Sequence, residues 1–306
     1  MRVALLFTDG VGIGERDPAR NPLARGNFLL SQFTDGTGTA LPAGGTMTPL
    51  DTCFGVKGRP QSASNQTAIL TGRPAPAEIG RHTLGFPNAE LRALLAQHSI
   101  VKQLRAANRS ATFANAFPLP YLHALGLVAD DESAHAADPL PARWKRKLRP
   151  SASTLAFSAG QVPFRTLQHL HRDRALTADI DGRKSAARGF DTPSRTSEQA
   201  AQIFWNLAQD FTFFEHYFAD DAGHAQDFAE AQWALKTFDG FARAVIAQQP
   251  PDTQVLIVSD HGNVEDLSQR NHTLARVALL SFGPVPPRGL ENLSDIGRWV
   301  LQLLEA

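Results

Sequence analysis

Four short apolar runs punctuate the chain: residues 2–8 (RVALLFT), 211–218 (FTFFEHYF), 254–259 (QVLIVS) and 276–282 (RVALLSF). Uninterrupted runs of this length, bounded by turn residues, predict strands buried on both faces, as in a parallel sheet. A fifth candidate, 111–116 (ATFANA), follows an amphipathic helical stretch from Asn88 to Ala107. Between 219 and 254, Phe228, Trp233, Leu235, Phe238, Phe241 and Ile246 recur at the three-to-four-residue spacing of a helix with one apolar face. Residues 293–305 repeat that pattern, with Ser294 as the predicted N-cap. Strands alternating with helices imply right-handed crossovers. The predicted class is therefore α/β, with a mostly parallel central sheet sandwiched by helices.

The stretch from 118 to 195 breaks this rhythm. It carries Pro118, Pro120, Pro139, Pro141, Pro150, Pro163 and Pro193, a basic run at 143–149 (RWKRKLR), and few long apolar runs. It reads as a small inserted cap, with 1–117 and 196–306 forming the core. The Gly- and Thr-rich stretch 34–58 reads as a loop over the surface or beside the active site, and the basic run as a solvated face, with a grip on an anionic substrate as the alternative.

Composition narrows the class. The chain balances 30 Lys+Arg against 30 Asp+Glu, which argues against the positive surplus that nucleic-acid binding needs. Hydrophobic residues at 42% and charged residues at 20% suit a soluble globular enzyme. Cys53 is the single cysteine, so an intrachain disulfide is impossible, and it reads as a small apolar residue. The apolar run Val3–Phe7 is too short for a signal peptide, and no stretch nears the roughly 20 apolar residues that cross a bilayer. These features predict a cytoplasmic protein without membrane contact.

In an open α/β sheet, ligands bind beyond the carboxyl ends of the strands. Asp9 follows the first strand, Asp220 and His224 follow FTFFEHYF, Asp260 and His261 follow QVLIVS, and His272 precedes the last strand. Asp and neutral His together suit Zn²⁺, Mn²⁺ or Fe, whereas an all-oxygen set would suit Mg²⁺ or Ca²⁺; the expected cofactors are two divalent ions, Zn²⁺ or Mn²⁺, with Mg²⁺ as the alternative. Six such ligands exceed one tetrahedral ion and match two ions about 4 Å apart, which can hold the attacking and leaving oxygens of a displacement at phosphorus. The nucleophile candidate lies in 60–73 (PQSASNQTAILTGR), a polar segment leading into a short helix that ends at Thr71-Gly72. A serine at such a helix N-terminus has backbone N–H groups and the positive dipole end beside it.

This ordered set, Asp9, the Ser62 segment closing in Thr71-Gly72, Asp220-xxx-His224, Asp260-His261-Gly262 and His272, resembles the alkaline phosphatase superfamily. That group includes alkaline phosphatases, nucleotide pyrophosphatase/phosphodiesterases, sulfatases, phosphopentomutases and cofactor-independent phosphoglycerate mutases. The segments GVGIGERDPARNP and SDHGNVEDLSQRNHT are most similar to the phosphoglycerate mutase-like metalloenzyme branch. The resemblance implies that Ser62 is the nucleophile, that Asp9, Ser62, Asp260 and His261 hold one metal ion, and that Asp220, His224 and His272 hold the other. It implies that Asn65 donates a hydrogen bond to a non-bridging phosphate oxygen. The mutase-type Asn-Ser-Glu nucleophile segment is absent, and Ser62 stands where a sulfatase needs cysteine.

The implied function is a two-metal phosphohydrolase acting on a small phosphorylated substrate through a phosphoserine. A mutase returning the phosphate to another hydroxyl is the alternative, and a silent metal-binding homologue the third. Arg16 and His82 are weaker candidates for the pocket wall. His216 reads as a core residue, and His123, His135, His169 and His171 as solvated.

Overall fold

The computed structural model describes residues 1–130 and 148–305, so that His135 and residues 143–147 of the basic run fall outside the described residues. A central sheet contains β1 (Arg2–Thr8), β2 (Gly45–Leu50), β3 (Ala111–Phe113), β4 (Phe211–His216), β5 (Thr253–Val258) and β6 (Val277–Phe282). The strands lie in the order β2-β6-β5-β1-β4-β3. β1 runs parallel to both β4 and β5, and β3 parallel to β4; β6 is antiparallel to β5, and β2 to β6. The strand period of two sends alternate side chains to opposite faces. Ala4, Leu6, Phe214, Val255 and Ile257 join one apolar cluster with Phe204, Phe238 and Phe241. Val3, Leu5, Phe7, Phe213 and Leu256 join a second with Leu95, Phe157, Ile296 and Trp299. The fold is the expected α/β sandwich.

Several details differ from the sequence reading. β2 lies within the expected 34–58 loop. It is an edge strand with Gly45, Thr46, Thr48 and Pro49 only partly covered, so no apolar alternation announces it, and proline is tolerated at a sheet edge. The expected strand 211–218 stops at His216, and Phe218 opens a helix, Phe218–Ala225. The single helix expected over 88–107 is two, Ala89–His98 and Ile100–Ala106. They break at buried Ser99, whose hydroxyl accepts from Lys102 N and donates to Ala156 O. Ser294 is the first residue of the Ser294–Leu303 helix rather than its cap, and its hydroxyl is spent on Asn292 Oδ1. His169 is buried, not solvated: its Nδ1 accepts from Thr166 N, closing a capping box. Within 118–195, Leu122, Phe157 and Phe164 enter one core cluster and Leu176 and Ile180 the other. No helix among the described residues is long and apolar enough to cross a membrane.

Two packing features bear on the site. The helix Ser62–Thr71 rests on Ser294–Leu303 where Gly297 has no side chain; a Cβ there would stand 2.5 Å from Ile69 O and 2.7 Å from Gly72 N. Both neighbours are backbone and cannot swing aside, so we predict that Gly297→Ala costs about 1–3 kcal/mol of stability, read as a lower urea midpoint.

His216, fully buried at the end of β4, pairs Nδ1 with Thr8 Oγ1 at 3.0 Å, while its Nε2 has no partner. Burial holds this imidazole neutral, down at about 3. Its ordinary value is about 6.5, so between these limits the unfolded chain binds the proton and the native chain does not. Stability from this group is complete above about 6.5 and is lost as pH falls. Relative to His216→Gln, the wild type should therefore lose about 2 kcal/mol between neutral pH and about pH 5, measured by parallel urea titrations.

Candidate metal centre

Because β1, β4 and β5 are parallel and in register, the segments that follow them leave from one edge of the sheet. There they bring together Asp9, Asp260 and His261 as one trio and Asp220, His224 and His272 as a second, with the ligand atoms of each trio within 4.8 Å of one another. The rings of His261 and His272 stack with centroids 3.7 Å apart, so the trios are neighbours. Gly10 permits the approach: at φ +75 it lets the β1 turn pass so close to Asp220 that a Cβ would stand 2.6 Å from Oδ1. Asp221, next to Asp220 in sequence, is not in the trio; it is half-exposed, 3.9 Å from Arg188.

The histidines are oriented from behind. His272 Nδ1 donates to Pro60 O at 2.8 Å, and His224 Nδ1 donates to Arg270 O at 2.7 Å. Each therefore turns Nε2 toward the centre, and these two nitrogens face each other at 3.1 Å. Two lone pairs that close require a proton or a cation between them. Backbone anchoring of the distal nitrogen is how metal-binding histidines are commonly fixed. In the other trio, Asp9 Oδ1 is shut from solvent without a hydrogen-bond partner and stands 3.2 Å from His261 Nε2. The residues thus fit divalent cations: nitrogen and carboxylate donors, pre-aimed, with unpaired acceptors inward.

Electrostatics agree. Burial, then the charges of Asp260 and Asp220, push the Asp9 carboxyl well above its usual range. Burial pulls Asp220 the same way, but the hydrogen bond to His224 and the neighbouring His261 and His272 outweigh it and hold Asp220 well below. That hydrogen bond lifts His224 to about 9. Burial and then the proximity of His261 lower His272 to about 4, leaving it neutral and ready to coordinate.

Ser62 is the first residue of the Ser62–Thr71 helix, which Gly72 terminates in the left-handed conformation. Its Oγ lies 2.8 Å from His261 Nε2, against the first trio. Gln61 offers no side-chain cap, so the first-turn N–H groups are left for an anion. Asn65 departs from expectation. It is fully buried, and its amide donates to Thr52 O and Asp260 O at 3.0 and 2.8 Å, so it braces the Asp260 backbone instead of facing a phosphate. Arg16 does not join the centre; its guanidinium lies over the Phe33 ring at 5.7 Å. His82 is half-buried beside Gly58, near the backbone of Val56 and Cys53, and its neighbour Thr83 donates N–H to Ser64 Oγ.

Sequence reasoning passed over three supports. Gln66 Nε2 reaches both Asp9 and Asp260. Asn263 Nδ2 donates to Asp220 Oδ1 at 2.7 Å. Glu265, buried, accepts from the backbone of Gly12 and Asn263 and from the Thr273 hydroxyl, tying the β1 turn to the loop that carries His261 and His272. The first was readable from its spacing, since residues four apart share a helix face with Ser62.

Comparison with known proteins places this geometry. Residues 183–305 match the metalloenzyme superfamily. Over 176 residues the chain is 29% identical to a phosphopentomutase of Deinococcus radiodurans, covering 48% of this chain and 45% of that protein. Over 96 residues it is 33% identical to a 2,3-bisphosphoglycerate-independent phosphoglycerate mutase of Yersinia pestis, covering 28% of this chain and 19% of that protein. In sequence the chain is therefore similar to a metalloenzyme family and to curated mutases, in each case over less than half of its length. It spans less than half the length of these curated mutases. The likeness in fold extends over nearly the whole chain. An alkaline phosphatase from the Antarctic bacterium TAB5 superposes with a TM-score of 0.56 at 14% identity, covering 99% of this chain and 98% of that one. The Thermus thermophilus alkaline phosphatase gives 0.54 at 12% identity, covering 99% and 91%. A metalloenzyme family and two convergent donor trios together indicate divalent metals.

With His224 at about 9, a cation entering the second trio at neutral pH must displace a proton. Its apparent affinity should rise about tenfold per pH unit up to about pH 9, with one proton released. Calorimetric titration in buffers of different ionisation enthalpy checks this; a pH-independent affinity would contradict it.

Proposed function

We propose that this chain is a two-metal phosphohydrolase that transfers a phosphoryl group from a small phosphorylated substrate to Ser62 and then to water. The observation that carries this reading is the placement of the Ser62 hydroxyl. It is only partly buried, at the mouth of a helix N-terminus, and 2.8 Å from His261 Nε2 within a shell of six inward-facing donors. Cations bound there, Zn²⁺ or Mn²⁺ by donor chemistry with Mg²⁺ also possible, would supply charge neutralisation and a lowered pKa for a bound oxygen.

The chain's own residues do the rest. The first-turn N–H groups and dipole of the Ser62 helix favour the anionic phosphoryl group. Ser62 Oγ loses its proton to water and attacks phosphorus; the Oγ–P bond forms as the bond to the leaving oxygen breaks, and that oxygen takes up a proton from water. The resulting phosphoserine stays at the same helix end, and water cleaves it to inorganic phosphate and regenerates Ser62. Asn65, Asn263 and the carbonyls of Pro60 and Arg270 hold the shell in place while charge shifts.

A mutase is the second reading, favoured by the curated relatives, which are phosphopentomutases and phosphoglycerate mutases. It shares every step up to the phosphoserine and differs in the acceptor, a substrate hydroxyl in place of water. A panel of phosphoesters, followed for inorganic phosphate and isomerised product together, separates the two. We predict phosphate release with wild type and a loss of about 10³-fold or more in Ser62→Ala, with metal content unchanged. Undiminished turnover in that variant would remove Ser62 from the nucleophile role.

A further inference from the structure

Gln66 lies one turn beyond Ser62 on the same helix and is almost wholly buried. Its Nε2 is 3.1 Å from Asp9 Oδ2 and 3.0 Å from Asp260 Oδ2. An amide nitrogen carries two hydrogens, and here both are spent on carboxylates from two different strands. We propose that Gln66 is the positioning residue of the Asp9–Asp260–His261 trio: its carboxamide clamps the two carboxylates and fixes them relative to the nucleophile. The inference rests on the metal-pair reading and adds to it a residue that sets affinity at one of the two sites.

Asp9 and Asp260 end adjacent parallel strands with their side chains out of solvent, so their like charges oppose close approach. A donor between them offsets that repulsion without adding charge, and charge-assisted hydrogen bonds are the stronger kind. The clamp also divides the labour of the Asp9 carboxylate. Oδ2 is engaged by Gln66, whereas Oδ1 has no hydrogen-bond partner and stands 3.2 Å from His261 Nε2, on the side where a cation would enter. Because the donor belongs to the Ser62 helix, the same contact locks that helix to the trio. A glutamate at this position would preserve the shape while removing both hydrogens. It would also add a carboxylate to a neighbourhood that already holds Asp9, Asp260 and, across a small cavity, the buried Glu215.

The test is calorimetric titration of the full chain with Mn²⁺, comparing wild type with Gln66→Met, which keeps volume without donors, and Gln66→Glu, which keeps shape without donors. Thr67→Val is the control, since Thr67 is equally buried on the same helix but its hydroxyl goes to Ala63 O, away from the carboxylates. We expect two equivalents bound by wild type and by the control. In both Gln66 variants the affinity of one equivalent should fall about 10–100-fold while the other is unchanged. Should one variant fail to fold, the other decides. Two equivalents in wild type with unaltered affinities in a folded Gln66 variant, or the same selective loss in Thr67→Val, would overturn the clamp and leave the metal-pair reading standing. No uptake by wild type would overturn the metal-pair reading, and the clamp with it.

Discussion

Like charges do not gather in a dry place without compensation, and that constraint organises this molecule. Asp9, Asp220 and Asp260 converge at one sheet edge with side chains no more than 14% exposed. Burial and the neighbouring carboxylates drive Asp9 toward its neutral form, and the hydrogen bond to Asp220 favours the protonated form of His224. Among the described residues no arginine or lysine pairs with Asp9, Asp220 or Asp260. The surroundings use neutral donors from Gln66, Asn263 and the Gly10 backbone, leaving the inward atoms to a divalent ion.

The sheet makes that gathering possible. Three parallel strands in register deliver three loops to one edge, and glycine at position 10 lets the first of them close on Asp220. The buried Glu265 then stitches the β1 turn to the loop bearing both His261 and His272. The Ser62 helix is pinned from two sides, by Gly297 below and by Gln66 at the trio. Fold stability and site geometry are therefore the same contacts seen at different distances from Ser62.

The central strands were legible because both faces are covered, and continuous apolar runs such as Val3–Phe7 carry that burial directly. β2 was not, because an edge strand with Pro49 and two partly exposed threonines has no apolar pattern to read. The six candidate side chains stand next to strands in the sequence, and the structure brings Asp9, Asp260 and His261 together in one group and Asp220, His224 and His272 in another. What sequence could not tell was direction. Asn65 and Gln66 are neighbours of similar chemistry on one helix, yet the first turns to backbone carbonyls and the second to the carboxylates. That choice is set by the hundred degrees that separate adjacent helical residues and by what packs outside them. The core contacts made by the stretch 118–195 are hard to read for a related reason. Its prolines mark breaks in local structure, but Phe157 and Phe164 still find places in the core, and single buried residues between breaks leave no periodic signal.

The central claim is that two cations occupy adjacent trios beside one serine hydroxyl. Anomalous scattering from crystals grown with Mn²⁺ tests it most directly. The account predicts two anomalous peaks, one among Asp9, Asp260 and His261 next to Ser62 Oγ, the other among Asp220, His224 and His272. Manganese lodged elsewhere, with both trios bare, would contradict it.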